Sequence, residues 1–167
     1  MIPKKIEPYF KIWKKDDGNI GLVEGVLTCC DSNDFEVLVN GQVKKNLFSK
    51  LYLVQNENDF VILKVRCKKC DKIVSVFDSR CDGYDMICGV YDTYKKNQLP
   101  YITTPINCKK CGENSYSVEI KYEYPDIEDI ESIKVTDQDN AFSWIRVSMK
   151  CNKCRTKYKN FIDFETS

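Results

Sequence analysis

Over much of the chain, apolar and polar residues alternate in short runs separated by turn-forming residues. Six such runs, at 35–39, 60–66, 73–77, 115–124, 142–150 and 157–164, are rich in β-branched and aromatic residues, which is the pattern of half-buried strands. No stretch carries a convincing helical period. The fold class expected is therefore mostly β and antiparallel, with little helix. In the run at 115–124, Val118, Ile120, Tyr122 and Tyr124 share one face while Glu119, Lys121 and Glu123 take the other, so one face can be buried and one wetted. Ile145, Val147 and Met149 of the next run can complete the buried face.

The pattern repeats. Placing Cys30 on Cys111 brings Phe35 onto Tyr116, Val37 onto Val118 and Val39 onto Ile120, an offset of 81 residues. Placing "FVILKVRCKKC" on "WIRVSMKCNKC" brings Phe60 onto Trp144, Val61 onto Ile145, Leu63 onto Val147 and Val65 onto Met149, an offset of 84. An internal duplication accounts for both offsets if the three extra residues of the later copy lie in the connection between its strands. Between the copies, "GVYDTYKKNQLPYITTP" has prolines and no cysteine and reads as a linker. The organisation expected is an N-terminal arm with a first unit over 1–83, a linker over 84–102 and a second unit over 103–167.

The cysteines give this pattern chemical content. The chain has ten cysteines and no histidine, and three Cys-x-x-Cys pairs stand out: Cys67 with Cys70, Cys108 with Cys111, and Cys151 with Cys154. A two-residue gap lets a tight turn present both sulfurs to one point, so two such pairs can surround one Zn2+ tetrahedrally. Cys108, Cys111, Cys151 and Cys154 make a complete set. The repeat supplies partners for Cys67 and Cys70 in the vicinal Cys29 and Cys30, a first pair shortened to no gap. Side chains of adjacent residues in an extended backbone point to opposite faces, so Cys29 and Cys30 can share an ion only if the backbone turns sharply between them. Two alternatives stand beside this: Cys81 as fourth ligand in place of Cys29, or an earlier copy that has lost its metal. Cys88 has no partner at ligand spacing.

On these residues each copy resembles a zinc ribbon, a β-hairpin plus a third strand with a cysteine knuckle at each end of the hairpin. The likeness covers roughly 21–79 and 103–167. Asp31 and Arg155 stand where a knuckle glycine is usual. Zinc ribbons serve transcription factors, polymerase subunits, ribosomal proteins, nucleotide enzymes and many uncharacterised bacterial proteins, so the resemblance specifies the metal far better than the role. It implies two Zn2+ per chain in structural four-cysteine sites; iron in a rubredoxin-like site is the chemical alternative. A unit of about 60 residues is near the lower limit for a self-sufficient core, and structural zinc can contribute roughly 10–16 kcal/mol in small ribbon-like peptides.

Composition narrows the function classes. With four thiolates on the metal no position is open for water, so hydrolytic zinc chemistry is not expected. The deaminase motif is absent, as is the βαβ setting of a Cys-x-x-Cys oxidoreductase, and the protein is expected not to be an enzyme. Lysines flank the pairs at Lys68, Lys69, Lys109, Lys110, Lys150 and Lys153, but a tetrathiolate zinc carries a net charge of −2 and attracts cations whatever the protein binds. Overall, 26 basic and 25 acidic residues give a net charge of +1, which is not the footprint of an electrostatic nucleic-acid binder. The acidic residues Asp126, Glu128, Asp129, Glu131, Asp137 and Asp139 in the long connection of the later copy would also repel phosphate. A protein partner is the expectation, a nucleic-acid-binding or transcription-associated accessory role the alternative. The arm, with Tyr9, Phe10, Ile12 and Trp13, is expected to pack on the first unit as an added strand or turn. No segment has the length of apolar chain needed for a membrane span or signal sequence, so no membrane association and a cytoplasmic location are expected.

Overall fold

The computed structural model describes residues 2–16, 20–47, 50–55, 57, 59–89, 100–126 and 137–166. Among the described residues, eleven strands carry the fold, with one turn of α-helix, α1 (Tyr84–Ile87), and two short 3-10 turns. All six alternating runs form strands: β3 (Phe35–Asn40), β6 (Ile62–Cys67), β7 (Ile73–Asp78), β9 (Tyr116–Asp126), β10 (Trp144–Cys151) and β11 (Lys157–Glu165). They make two antiparallel triplets, β3-β6-β7 and β9-β10-β11.

The triplets share a register. Phe35 pairs with Cys67, Val37 with Val65 and Val39 with Leu63; Tyr116 pairs with Cys151, Val118 with Met149 and Ile120 with Val147. These are the same pairs under the offsets of 81 and 84. The third strands agree as well, since Val65 opposite Val74 corresponds to Met149 opposite Tyr158, and a register shift follows Leu63 in one and Val147 in the other. The two triplets join into one curled sheet where β3 meets β9, at Phe35 opposite Tyr116.

The arm enters this sheet as an added strand on the start of the first unit, and that part of the unit pairs in turn with the second triplet. β1 (Phe10–Asp16) and β2 (Ile20–Leu27) form a hairpin, and β2 runs antiparallel to β9 of the later segment, with Val23 opposite Tyr122 and Gly25 opposite Ile120. The reason is geometric. β10 occupies one edge of β9 and β3 reaches only its first residue, so the rest of the other edge is open to a strand that satisfies its backbone groups. Gly25 lets β1 close on β2 within the hairpin: a Cβ there would lie 2.5 Å from the Lys11 carbonyl oxygen and 2.6 Å from the Phe10 ring.

The remaining strands are peripheral. β8 (Thr104–Pro105) pairs with Leu38 and Val39 of β3, and β4 (Gln42–Lys45) with β5 (Leu51–Val54) forms a separate small hairpin. One apolar cluster runs under the whole sheet, taking Ile6, Phe10 and Leu27 from the arm, Phe35, Val37 and Val65 from the first triplet, and Tyr116, Val118, Ile145 and Met149 from the second. As the alternation requires, Val118, Ile120, Tyr122 and Tyr124 are all buried while Glu119 is exposed.

The linker is described only at its ends, and residues 90–99 lie outside the described residues. Of the acidic connection, Asp126 ends β9 and Asp137 and Asp139 border a 3-10 turn, whereas Glu128, Asp129 and Glu131 lie outside the described residues.

Candidate metal centres

Each triplet ends in a pair of turns that carry cysteines. In three of the turns the backbone closes identically. The first cysteine's N–H donates to the carbonyl five residues on, and the N–H four residues on returns to the first cysteine's carbonyl. The pairs are Cys67 with Lys72 and Asp71, Cys108 with Glu113 and Gly112, and Cys151 with Thr156 and Arg155, at 2.7–2.9 Å. The fourth turn is the same loop with two residues removed, since Cys29 and Ser32 exchange both hydrogen bonds, at 2.8 and 2.9 Å.

The residue after the second cysteine is left-handed in all four turns: Asp31 (φ 58°), Asp71 (60°), Gly112 (77°) and Arg155 (63°). Glycine takes this conformation freely and aspartate tolerates it. Arg155 adopts it at a cost of roughly 1 kcal/mol, because its N–H is committed to Cys151. Cys30 is left-handed as well (φ 53°), which is the sharp turn that vicinal ligands need.

These turns gather the sulfurs. Cys108, Cys111, Cys151 and Cys154 place their Sγ atoms within 4.8 Å of one another, with Cys108 to Cys154 at 3.5 Å and Cys111 to Cys151 at 3.6 Å. A tetrahedron with Zn–S bonds of about 2.3 Å has edges of about 3.8 Å, so the spacing fits zinc. In the earlier triplet Cys29, Cys30 and Cys70 form the corresponding group, with Cys29 3.7 Å from Cys30 and 3.6 Å from Cys70. The Cys67 thiol interacts with those of Cys29 and Cys70 and lies 3.8 Å from the Cys29 carbonyl oxygen. All ten cysteines are free thiols.

In each turn the first cysteine is buried and the second lies further out: Cys29, Cys67, Cys108 and Cys151 are in the core, Cys111 and Cys154 are half-buried, and Cys30 and Cys70 are exposed. Each group therefore spans the boundary between core and surface. Each group contains a thiol made strongly acidic. The Thr156 hydroxyl, 3.1 Å away, and its backbone N–H bring Cys154 down to about 6. The Lys72 backbone N–H, followed by neighbouring thiols, brings Cys70 to about 7. Burial and neighbouring thiols push Cys29 up to about 12.

The two groups differ in their surroundings. The Tyr158 hydroxyl donates to Cys108 Sγ at 3.2 Å and accepts from the Lys109 N–H at 2.9 Å. Burial alone would raise Cys108, yet Tyr158 and the backbone N–H groups of Lys110 and Cys111 hold it below its ordinary value. The positions matching Thr156 and Tyr158 in the earlier group are Lys72 and Val74, which offer no side-chain hydroxyl.

Cys81 lies apart, in a segment tied down on both sides. Asp82 accepts from the Asp78 N–H at 2.7 Å and from Asn140 at 3.2 Å, and pairs with Lys5. Arg80 binds both oxygens of Asp78, at 2.8 and 2.6 Å. Burial pushes the Cys81 thiol up to about 12. Cys88 follows α1, half-buried. Among the flanking lysines, Lys69 caps the Cys30 carbonyl at 2.9 Å and Lys153 pairs with Glu113 at 2.7 Å. Sequence reasoning gave no sign of the hydroxyl donors Thr156 and Tyr158; the alignment of Tyr158 with Val74 was the available signal.

Among the described residues no helix is long and apolar enough to cross a membrane. Compared with protein families, with curated proteins and with solved structures, the chain matches none.

Proposed function

We propose that this is a non-enzymatic zinc-binding protein with two structural four-cysteine sites, Cys108, Cys111, Cys151 and Cys154 in one and Cys29, Cys30, Cys67 and Cys70 in the other. On this reading it acts by presenting a surface to a protein partner. The observation that carries the zinc assignment is the convergence of four sulfurs from two turns 40 residues apart in sequence at tetrahedral spacing. Bound there, zinc supplies cross-links between the start of β9 and the β10–β11 turn, and between the start of β3 and the β6–β7 turn. Four thiolate donors complete a tetrahedral zinc, and the chemistry that follows is structural. The shared register of the two triplets supports an origin by duplication.

The chain's own residues support a cohesive role. Each site joins buried cysteines to the apolar cluster, and backbone N–H groups face the sulfurs of Cys70, Cys111 and Cys154. Those donors stabilise thiolate whether or not a neighbouring cation is present.

The experiment is elemental analysis of protein purified without added zinc, followed by chelation under circular dichroism. About two zinc atoms per chain, with loss of β structure on their removal, is the expected result. Tight oligonucleotide binding that weakens steeply with salt would favour the nucleic-acid reading instead.

A further inference from the structure

We propose that a lysine-lined groove beside the later cysteine group is a docking site for an acidic, apolar-containing peptide segment of a partner protein. The inference deepens the protein-partner reading above and rests on it.

The groove is open and has a volume of about 930 Å3. Six lysines line it: Lys45, Lys50, Lys109, Lys110, Lys157 and Lys159. Val43, Leu51, Thr156 and Tyr158 also line it, and among the described residues no acidic side chain does. All six lysines are exposed, and among the described residues none forms an ion pair. In a chain of net charge +1, this is a local excess of one sign that repels itself until an anion enters.

Two local explanations account for part of the cluster. A tetrathiolate zinc carries a charge of −2 and attracts the lysines between its ligands, Lys109 and Lys110. Among the described residues β11 pairs only with β10, and lysines such as Lys157 and Lys159 discourage unwanted pairing at an edge strand. Neither explanation reaches Lys45 and Lys50. They come from the β4–β5 hairpin, which carries no cysteine and forms the opposite wall. Cations on both walls, with Val43 and Leu51 between them, suit a chain that carries carboxylates and apolar side chains.

Nucleic acid fits the lining less well. Base stacking needs an open aromatic face, and among the described residues the one ring in the lining, Tyr158, is buried, packs edge-on to Tyr116 and commits its hydroxyl to Cys108. Among the described residues the lining has no arginine for bidentate phosphate contacts.

The test uses the full zinc-loaded chain and a fluorescein-labelled peptide of Glu-Glu-Leu repeats, followed by anisotropy. The peptide should bind at low salt, weaken as salt rises, and bind at least about tenfold more tightly than its Gln-Gln-Leu counterpart. The double variant Lys45→Glu, Lys50→Glu should weaken binding by about tenfold or more with zinc content unchanged. If that hairpin variant misfolds, Lys157→Gln with Lys159→Gln probes the other wall and should also weaken binding. No binding of the acidic peptide at low salt, or binding equal in the lysine variants and the parent, overturns the groove and leaves the zinc assignment intact. A single-stranded oligothymidine that binds more tightly and displaces the peptide overturns the protein-partner reading itself.

Discussion

Phe35 and Tyr116 lie opposite one another where β3 meets β9, and they are also the residues that correspond in the two halves of the chain. Side chains clasp the junction. Ser115 donates to Asp34 at 2.6 Å, Asn152 donates to the same carboxylate oxygen at 3.0 Å, and Asn114 bonds both the N–H and the carbonyl of Val37, at 2.8 and 3.3 Å.

The junction should therefore govern the stability of both halves together. Phe35 is fully buried, and Phe35→Ala is expected to cost about 3–5 kcal/mol. Asn114→Ala, which strands the Val37 N–H, should cost about 1–3 kcal/mol. Urea denaturation followed by tryptophan fluorescence and by circular dichroism checks both. The two probes should report one coincident transition in each variant.

Tyr116 offers the opposite sign. Its hydroxyl is buried and, among the described residues, has no hydrogen-bond partner, and the residue corresponding to it in the first half is Phe35, which has none to satisfy. Tyr116→Phe removes a desolvated polar group and should be neutral or stabilising by about 1 kcal/mol. A drop in the urea midpoint would contradict this.

The two cysteine groups should release metal unequally. Cys30 and Cys70 are exposed and receive no side-chain hydroxyl, while Cys108 and Cys154 are held by Tyr158 and Thr156. A chromogenic chelator is expected to remove zinc in two phases, with the fast phase lost in Cys70→Ser. Tyr158→Phe should accelerate the slow phase alone, by about tenfold.

Acid should act through Glu123. Burial favours its neutral form, but Lys121 at 2.8 Å and Arg146 outweigh it and hold the carboxyl below its ordinary value. The folded state thus binds this proton less readily than the unfolded chain. The stabilisation is present above the ordinary carboxylate range, about 4.3, and is lost as pH falls through the lowered value. Glu123→Gln should flatten the acid limb of a stability profile measured by thermal denaturation across that range.

The two antiparallel triplets and their cysteine groups were legible in the sequence because period-two alternation and cysteine spacing are local signals. The offsets of 81 and 84, found by matching residues, reappear as hydrogen-bonded pairs such as Phe35 with Cys67 and Tyr116 with Cys151. The arm was legible as an added strand on the first unit, but the pairing of β2 with β9 was not. Nothing in "IGLVEGVL" states that one edge of β9 is open, and Gly25 acquires meaning only once the Phe10 ring lies over it. The sharing of one apolar cluster by strands distant in sequence was not legible for the same reason, since no local signal carries it. The wall formed by Lys45 and Lys50 was missed because attention to lysines near the ligand pairs passes over a hairpin without cysteine.

Cobalt titration tests the sulfur sites most directly. Co2+ replacing zinc in a tetrahedral tetrathiolate site gives intense visible and sulfur-to-metal charge-transfer absorption, and its endpoint counts such sites. Two equivalents per chain are predicted, falling to one in Cys154→Ser and to one in Cys70→Ser. A metal-free chain that keeps its full β structure and develops no such absorption on adding cobalt would contradict the account.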